Sequence, residues 1–207
     1  AMSVRLREVN KPAPAIDVRM LDNLATRIAH EQGKEVRLDA TLEAFDKVPV
    51  TNRKLVQDCV VQLVRNAVVH GIEPCVDRVL MGKPSGGTIQ IRAEEEGDQI
   101  RISVRDDGQG INLDRVRERA LQRGMYEADD IDSMNPTRIM SLIFEPGFST
   151  LDKADEHGGR GVGMDMVKAS IQQLNGRIRV SNKPYKFCEI SFVIPRDAER
   201  YPVAEAV

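Results

Sequence analysis

The chain has 207 residues, 41% of them apolar and 30% charged, which is enough to bury one good core and argues against wholesale disorder. Its 30 basic and 32 acidic residues leave a net charge of -2, so no global pull towards nucleic acid exists. Cys59, Cys75 and Cys188 lack metal-site spacing, and no apolar run approaches the roughly 20 residues of a membrane span; the expectation is a cytoplasmic protein with free thiols and no direct membrane insertion.

Residues 1–16 read as an extended leading linker, because Lys11-Pro12-Ala13-Pro14 breaks helix, and Ala1-Met2 resembles a cloning remnant. From Asp17 to Gln32, Val18, Leu21, Leu24, Ala25 and Ile28 recur at helical spacing, with Gly33 as the stop. Glu35 to Thr41 alternates as a half-buried strand. Thr51 or Asn52 is the expected cap of an apolar helix that runs to His70-Gly71. After a Pro/Gly/Ser loop at Gly82 to Gly87, Thr88–Ala93 and Gln99–Arg105 predict a hairpin. Asn112–Arg123, Pro136–Ile143 and Gly163–Leu174 read as helices, and Arg177–Ser181 with Cys188–Ile194 as a second hairpin. The fold class is therefore an α/β (α+β) two-layer sandwich whose mixed, mostly antiparallel sheet carries its helices on one face. Its expected limits are 17–195, with 17–33 as the leading helix and 196–207 as a C-terminal linker.

Three stretches could carry chemistry. In Gln62 to Glu73, the residues Gln62, Asn66 and His70 stand four apart and would share one helix stripe with Arg65 nearby. An Asn carboxamide oxygen suits Mg²⁺, and Arg65 and His70 could meet phosphate, or else serve as a solvated cation and a helix cap. In Arg105 to Asn112, a strand ends directly in Asp106-Asp107-Gly108-Gln109-Gly110. A carboxylate fixed there can accept a hydrogen bond from an exocyclic amine, favouring adenine over guanine; the alternative is an Asp-Gly turn. From Phe144 to Val167, two phenylalanines flank a Pro-Gly turn, and Gly158, Gly159, Gly161 and Gly163 precede a helix. Such glycines let backbone N–H groups approach phosphate, although the spacing is neither Walker A nor the Rossmann fingerprint.

NAVVHGIE, DDGQGI, FEPGFST and GGRGVGMDMV, in this order, resemble the N, G1, F and G2 boxes of the GHKL (Bergerat-type) ATPase superfamily. Within it, residues 18 to 195 are similar to the ATP-binding domain of CheA-type chemotaxis histidine kinases. The resemblance implies ATP and Mg²⁺ as cofactors, Asn66 as the Mg²⁺ ligand, and Asp106 as the adenine-binding carboxylate in a pocket shaped by Gly108 and Gly110. It implies a lid, flanked by Phe144 and Phe148, whose Gly159, Gly161 and Gly163 wrap the phosphates with Val162 among them, phosphate contacts from Arg65, His70 and Arg160, Met164 packing the pocket wall or core, and Gln62 on the catalytic helix. Gln62 departs from the usual histidine of CheA-type kinases and the glutamate base of hydrolysing relatives; an amide accepts no proton at neutral pH. Glu145 stands where the family has an apolar residue. His30 lacks the surroundings of a phosphoacceptor and reads as a solvated helix residue.

The implied activity is transfer of the ATP γ-phosphate to a histidine on a separate phosphotransfer domain, expected in the same parent chain, and from there to a response regulator. A receptor or coupling protein and a homodimeric parent are further implied partners. The rival reading is a nucleotide-gated interaction module that binds ATP without transferring phosphate.

Overall fold

A computed structural model of the chain describes residues 16–148 and 163–196. The first helix, α1 (Val18–Glu31), is capped by the Asp17 carboxylate, which accepts from Met20 N at 3.1 Å, and buries Leu21, Ala25, Ile28 and Ala29. Ile16, expected to close the leading linker, belongs to the core that this helix joins. Strand β1 (Val36–Thr41) follows.

Helix α2 (Val50–Asn66) starts earlier than the expected Thr51 or Asn52 cap. Pro49 occupies the cap position with an extended backbone, no side chain caps the helix, and Thr51 and Asn52 fall in the first turn. The proline ring fixes the backbone angle that starts the helix, so a side-chain cap is dispensable. Beyond Asn66 the chain widens into a π-helical turn, Ala67–Gly71, closed by Ile72 N to Ala67 O at 2.8 Å. The turn inserts a residue into the helical register, so the four-residue spacing of Gln62, Asn66 and His70 does not continue as one straight stripe. Lys34 reaches across from the α1–β1 turn and donates to the carbonyls of Val68 and Val69, both at 2.8 Å. It thus supplies a partner to backbone groups that the wider turn leaves open.

The next elements are α3 (Cys75–Leu80), β2 (Gly87–Glu96), β3 (Gln99–Asp106) and α4 (Leu113–Gln122), the last capped by the Asn112 side chain. Then come α5 (Ala128–Asp132) and α6 (Pro136–Ser141), which is capped by Asn135 and followed by a 3-10 turn at Leu142–Phe144. The described chain ends with α7 (Met164–Gln173), β4 (Arg177–Lys183) and β5 (Phe187–Pro195). Helices α3 and α5 are additions to the expected elements.

The described strands form a five-stranded sheet ordered β1-β2-β3-β5-β4, in which β1 pairs parallel with β2 and every other pairing is antiparallel. Alternation sends Ile89, Ile91 and Ala93 of β2, Ile100, Ile102 and Val104 of β3, and Phe192 and Ile194 of β5 to one face. There they meet the apolar stripes of α1, α2 and α7 in one core. A second cluster, built from Val116, Ala120, Ile131, Ile139, Leu142 and Phe148, consolidates the α4–α6 region. The mixed, mostly antiparallel two-layer arrangement expected from the sequence is the arrangement found.

Lys34→Met should remove the donor to both π-turn carbonyls and cost roughly 1–3 kcal/mol in urea unfolding, the price of unsatisfied buried carbonyls. An unchanged midpoint would mean that water replaces the amine without loss.

Candidate functional site

The site is built where the end of β3 meets the π turn. Asp106 has the strand parity of Ile100, Ile102 and Val104, so its side chain faces the helical layer, and it is only 5% exposed. Gly71 closes the π turn directly against it: a Cβ at Gly71 would lie 2.7 Å from the Asp106 carboxyl group. Gly108 is equally confined, since a Cβ there would lie 2.0 Å from the Gly71 carbonyl oxygen. Both glycines therefore permit a close approach of the π turn, the strand end and Asp106 that a side chain at either position would force apart. Gly108 N donates to Asp106 Oδ1 at 3.0 Å, while Gln109 N donates to Gly71 O at 2.9 Å and Gln109 Nε2 to His70 O at 2.7 Å. Gly110 takes a left-handed φ of +72°, where Asn182 brackets the next residue by bonding both Ile111 N and Ile111 O.

Burial pushes the Asp106 carboxyl up to about 7; the Gly108 N–H opposes this, and the neighbouring charges of Asp107 and Glu73 add to it. His70 moves the other way. Desolvation, helped by the positive charges of Lys34 and Arg119, holds it below its ordinary 6.5 even though the residue as a whole is exposed, so the imidazole is neutral at pH 7. A neutral ring can hydrogen-bond a phosphate but offers it no positive charge.

Along α2, Gln62 Nε2 donates to Asn66 Oδ1 at 3.4 Å, and the Asn66 amide contacts the Met164 sulfur. The first residue of α7 is thereby brought to the end of α2, so Gln62, Asn66, Gly163 and Met164 share one neighbourhood. Arg65 is exposed. Phe144 and Phe148 are each 4% exposed, and Phe148 lies in the second cluster, so both rings are packed beneath the surface. Glu145 accepts from Tyr126 Oη at 2.8 Å and pairs with Arg138 at 2.8 Å. This polar clasp explains how a charged residue is accommodated between the two phenylalanines. Gly159, Arg160, Gly161 and Val162 lie outside the described residues.

Sequence reasoning did not single out Gly71, Glu73, Asp107, Arg78 or Lys83. Arg78 is fully buried and forms a closed set of ion pairs with Glu73 and Asp107, and Lys83 pairs with Glu73. The available signal was Glu73 next to Pro74: an acidic residue directly after an apolar Gly-Ile pair needs a cation if it is buried.

Residues 51–198 match the family described as histidine kinase-, DNA gyrase B-, and HSP90-like ATPase. The chain belongs to this family. It is 39% identical over 171 residues to a gliding motility regulatory protein of Myxococcus xanthus, covering 82% of this chain and 22% of the relative. It is 38% identical over 183 residues to the chemotaxis protein CheA of Rhizobium meliloti, covering 88% of this chain and 23% of that protein. The chemotaxis protein CheA of Halobacterium salinarum is 36% identical over 173 residues, covering 83% and 26%. The chain thus spans about a quarter of the length of these relatives, and the names of the latter two agree with the CheA-type resemblance of the four boxes. Among solved structures, the histidine kinase domain of the Erythrobacter litoralis EL346 blue-light activated histidine kinase superposes with a TM-score of 0.51 at 18% identity, covering 90% of this chain and 68% of that one. Full-length ShkA in complex with AMPPNP gives 0.50 at 20% identity, covering 86% and 28%. At these identities the superpositions establish the shared fold.

The chemistry of these residues is compatible with an adenine nucleotide, in keeping with the ATPase family that the chain belongs to. A buried carboxyl at a strand end can offer the amine of a base one acceptor. No group of three or more His, Cys, Asp or Glu side chains among the described residues could hold a metal. A single neutral oxygen such as Asn66 Oδ1 suits Mg²⁺, which keeps most of its coordination to phosphate and water.

The folded pKa of Asp106 near 7 exceeds its unfolded value of about 3.9, so the native state holds this proton more tightly. The resulting stabilisation is full below about pH 4 and is lost as pH rises to about 7. Asp106→Asn should therefore gain stability over the ligand-free parent as pH rises from 4.5 to 8, by on the order of 3 kcal/mol. A mutant-minus-parent difference that stays constant with pH in urea titrations would contradict this. Gly71→Ala should displace the carboxyl group and weaken adenine nucleotide binding at least about 10-fold, with helix content retained; parent-like affinity by calorimetry would show that the cradle yields.

Proposed function

We propose that this chain is the ATP-binding catalytic domain of a chemotaxis-type histidine kinase, a protein-histidine kinase that passes the ATP γ-phosphate to a histidine on a separate phosphotransfer domain. The observation that carries the reading is the buried Asp106 carboxylate, held by Gly108 N–H and bordered by Gly71. In its ionised form it accepts a hydrogen bond from the adenine amine, whereas guanine would turn an acceptor oxygen towards it. Asn66 contributes the side-chain oxygen to Mg²⁺, which when bound neutralises phosphate charge. Gly163 and Met164 lead from the glycine-rich segment into α7, whose first turn offers unpaired N–H groups to phosphate.

The acceptor imidazole nitrogen attacks the γ-phosphorus; the new N–P bond forms as the β–γ bridging P–O bond breaks, and ADP leaves. Such transfer depends on position and charge neutralisation, which hydrogen-bonding residues supply. Gln62 cannot take a proton from water, and its contact with Asn66 orients a metal ligand instead. The arrangement thus favours transfer to a presented acceptor over hydrolysis. Proximity of a tethered phosphotransfer domain in the same parent chain dominates the rate. A response regulator receives the phosphate next, and a receptor-coupling protein and a homodimeric parent in the cytoplasm complete the proposed setting. Among the described residues no helix is long and apolar enough to cross a membrane.

The test is transfer of label from γ-labelled ATP with Mg²⁺ to the phosphotransfer domain of the full-length parent. Label on the acceptor histidine is expected, and Asn66→Ala should lower its rate at least about 100-fold, in line with loss of a group acting on the transferring phosphate. Tight ATP binding with no label at saturating acceptor would instead establish the nucleotide-gated module.

A further inference from the structure

Beneath the Asp106 cradle lies a cluster of charged groups to which the proposed chemistry assigns no task. Arg78 has none of its surface exposed, yet each of its guanidinium nitrogens is bonded: Nε to Pro84 O at 2.8 Å, Nη1 to Glu73 Oε2 at 2.9 Å and Asp107 O at 3.3 Å, and Nη2 to Asp107 Oδ2 at 3.2 Å. Lys83 uses three donors in the same place, to Glu73 Oε1 at 2.7 Å, Asp107 O at 3.0 Å and Gly108 O at 2.8 Å. Glu73 therefore meets one cation with each oxygen, and these bonds outweigh its burial and hold its carboxyl below the usual range. Asp107 is fixed on its other side by Thr88 N at 2.9 Å.

The geometry points to Arg78 and Lys83 as positioning residues for base recognition: they grip the carbonyl of the Asp107–Gly108 peptide from behind and thereby aim that peptide's N–H at Asp106. The oxygen they hold and the nitrogen that bonds Asp106 Oδ1 belong to one planar unit, so orienting one end orients the other. Cationic donors on the carbonyl also polarise the peptide and strengthen its N–H as a donor. With Oδ1 so anchored, and a Cys188 backbone N–H bonding the same carboxyl, the carboxyl plane is held in one orientation. A merely stabilising role is a poor account of the cluster, because buried ion pairs are often no better for stability than apolar residues of the same volume. Fixing a peptide plane is something an apolar cluster could not do. Glu73 holds the two cations apart and in register.

The inference rests on reading Asp106 as the base acceptor, and the experiment separates the two. Binding of ADP and of inosine diphosphate, which carries an oxygen in place of the exocyclic amine, is measured by calorimetry for the parent chain, Lys83→Met, Lys83→Arg, Asp106→Asn and the Lys83→Met/Asp106→Asn pair. Lys83→Met should weaken ADP about 10-fold and inosine diphosphate less than about 2-fold, Lys83→Arg should recover most of the loss, and Lys83→Met should add less than about 2-fold when Asp106 is already Asn. Equal loss for both nucleotides, or no loss in Lys83→Met where Asp106→Asn loses ADP, overturns the positioning role while leaving the pocket intact. Unchanged ADP binding in folded Asp106→Asn overturns the pocket reading and the inference with it. If circular dichroism shows that Lys83→Met does not fold, Lys83→Gln is judged by the same criteria.

Discussion

A carboxylate on the core face of a β-strand is the constraint around which this domain is arranged. Strand parity turns Asp106 inward with the isoleucines and valine of β3, where an unpaired charge would be costly. Backbone N–H groups meet only part of that cost, and the carboxyl holds its proton up to about pH 7. Gly108 supplies an N–H, Gly71 supplies absence of bulk, and the π turn brings Gly71 to the strand end. The wider turn in its own right leaves carbonyls that Lys34 must satisfy from the far end of α1. A chain of local requirements thus runs from the leading helix to the pocket.

The two hydrophobic clusters divide the labour. The larger cluster clamps α1, α2 and α7 on the sheet and fixes the walls of the cradle. The smaller one, around Val116, Ile131, Ile139 and Phe148, sits in the chain between the cradle and the glycine-rich stretch. The Tyr126, Arg138 and Glu145 contacts sit beside it. Packing of the segment that leads into the glycine-rich stretch thereby falls in a different cluster from the packing around β3 and α2. The family match from residue 51 to 198 takes in the whole of the smaller cluster and part of the larger, to which α1 and Phe45 contribute from before it.

Much of this was legible in the residues because it depends on periodicity. Ile89 to Ala93 and Ile100 to Val104 alternate cleanly, and Leu21, Ala25 and Ile28 mark one helical face. What escaped depends on partners far away in sequence. Helices α3 and α5 are only 6 and 5 residues long, too short to display a period. The start of α2 is set by Pro49 and not by the better side-chain caps that follow it. The π turn cannot be read from Ala67-Val68-Val69, which would suit an α-helix equally well. Asp106 stood out as a candidate from its strand-end setting and from the four-box resemblance, and its burial is the part that the structure adds. The burial of Arg78 was not, because arginine's ordinary preference is for the surface and only Glu73 and Asp107 together reverse it.

The order of the strands has a consequence for how copies of the domain behave towards one another. An open sheet leaves two edges, here β1 and β4, each with backbone groups that another strand could pair with. The outward positions of β4 carry Arg177, Arg179 and Lys183, and β1 carries Arg37 beside Asp39. Two β4 edges approaching to the strand spacing of about 4.8 Å would bring like charges together well inside the screening length of about 8 Å at physiological salt. The net charge of the molecule is close to zero, so its solubility cannot rest on overall repulsion. Among the described residues, the cations along β4 oppose the edge-to-edge pairing by which strand-to-strand aggregation would begin.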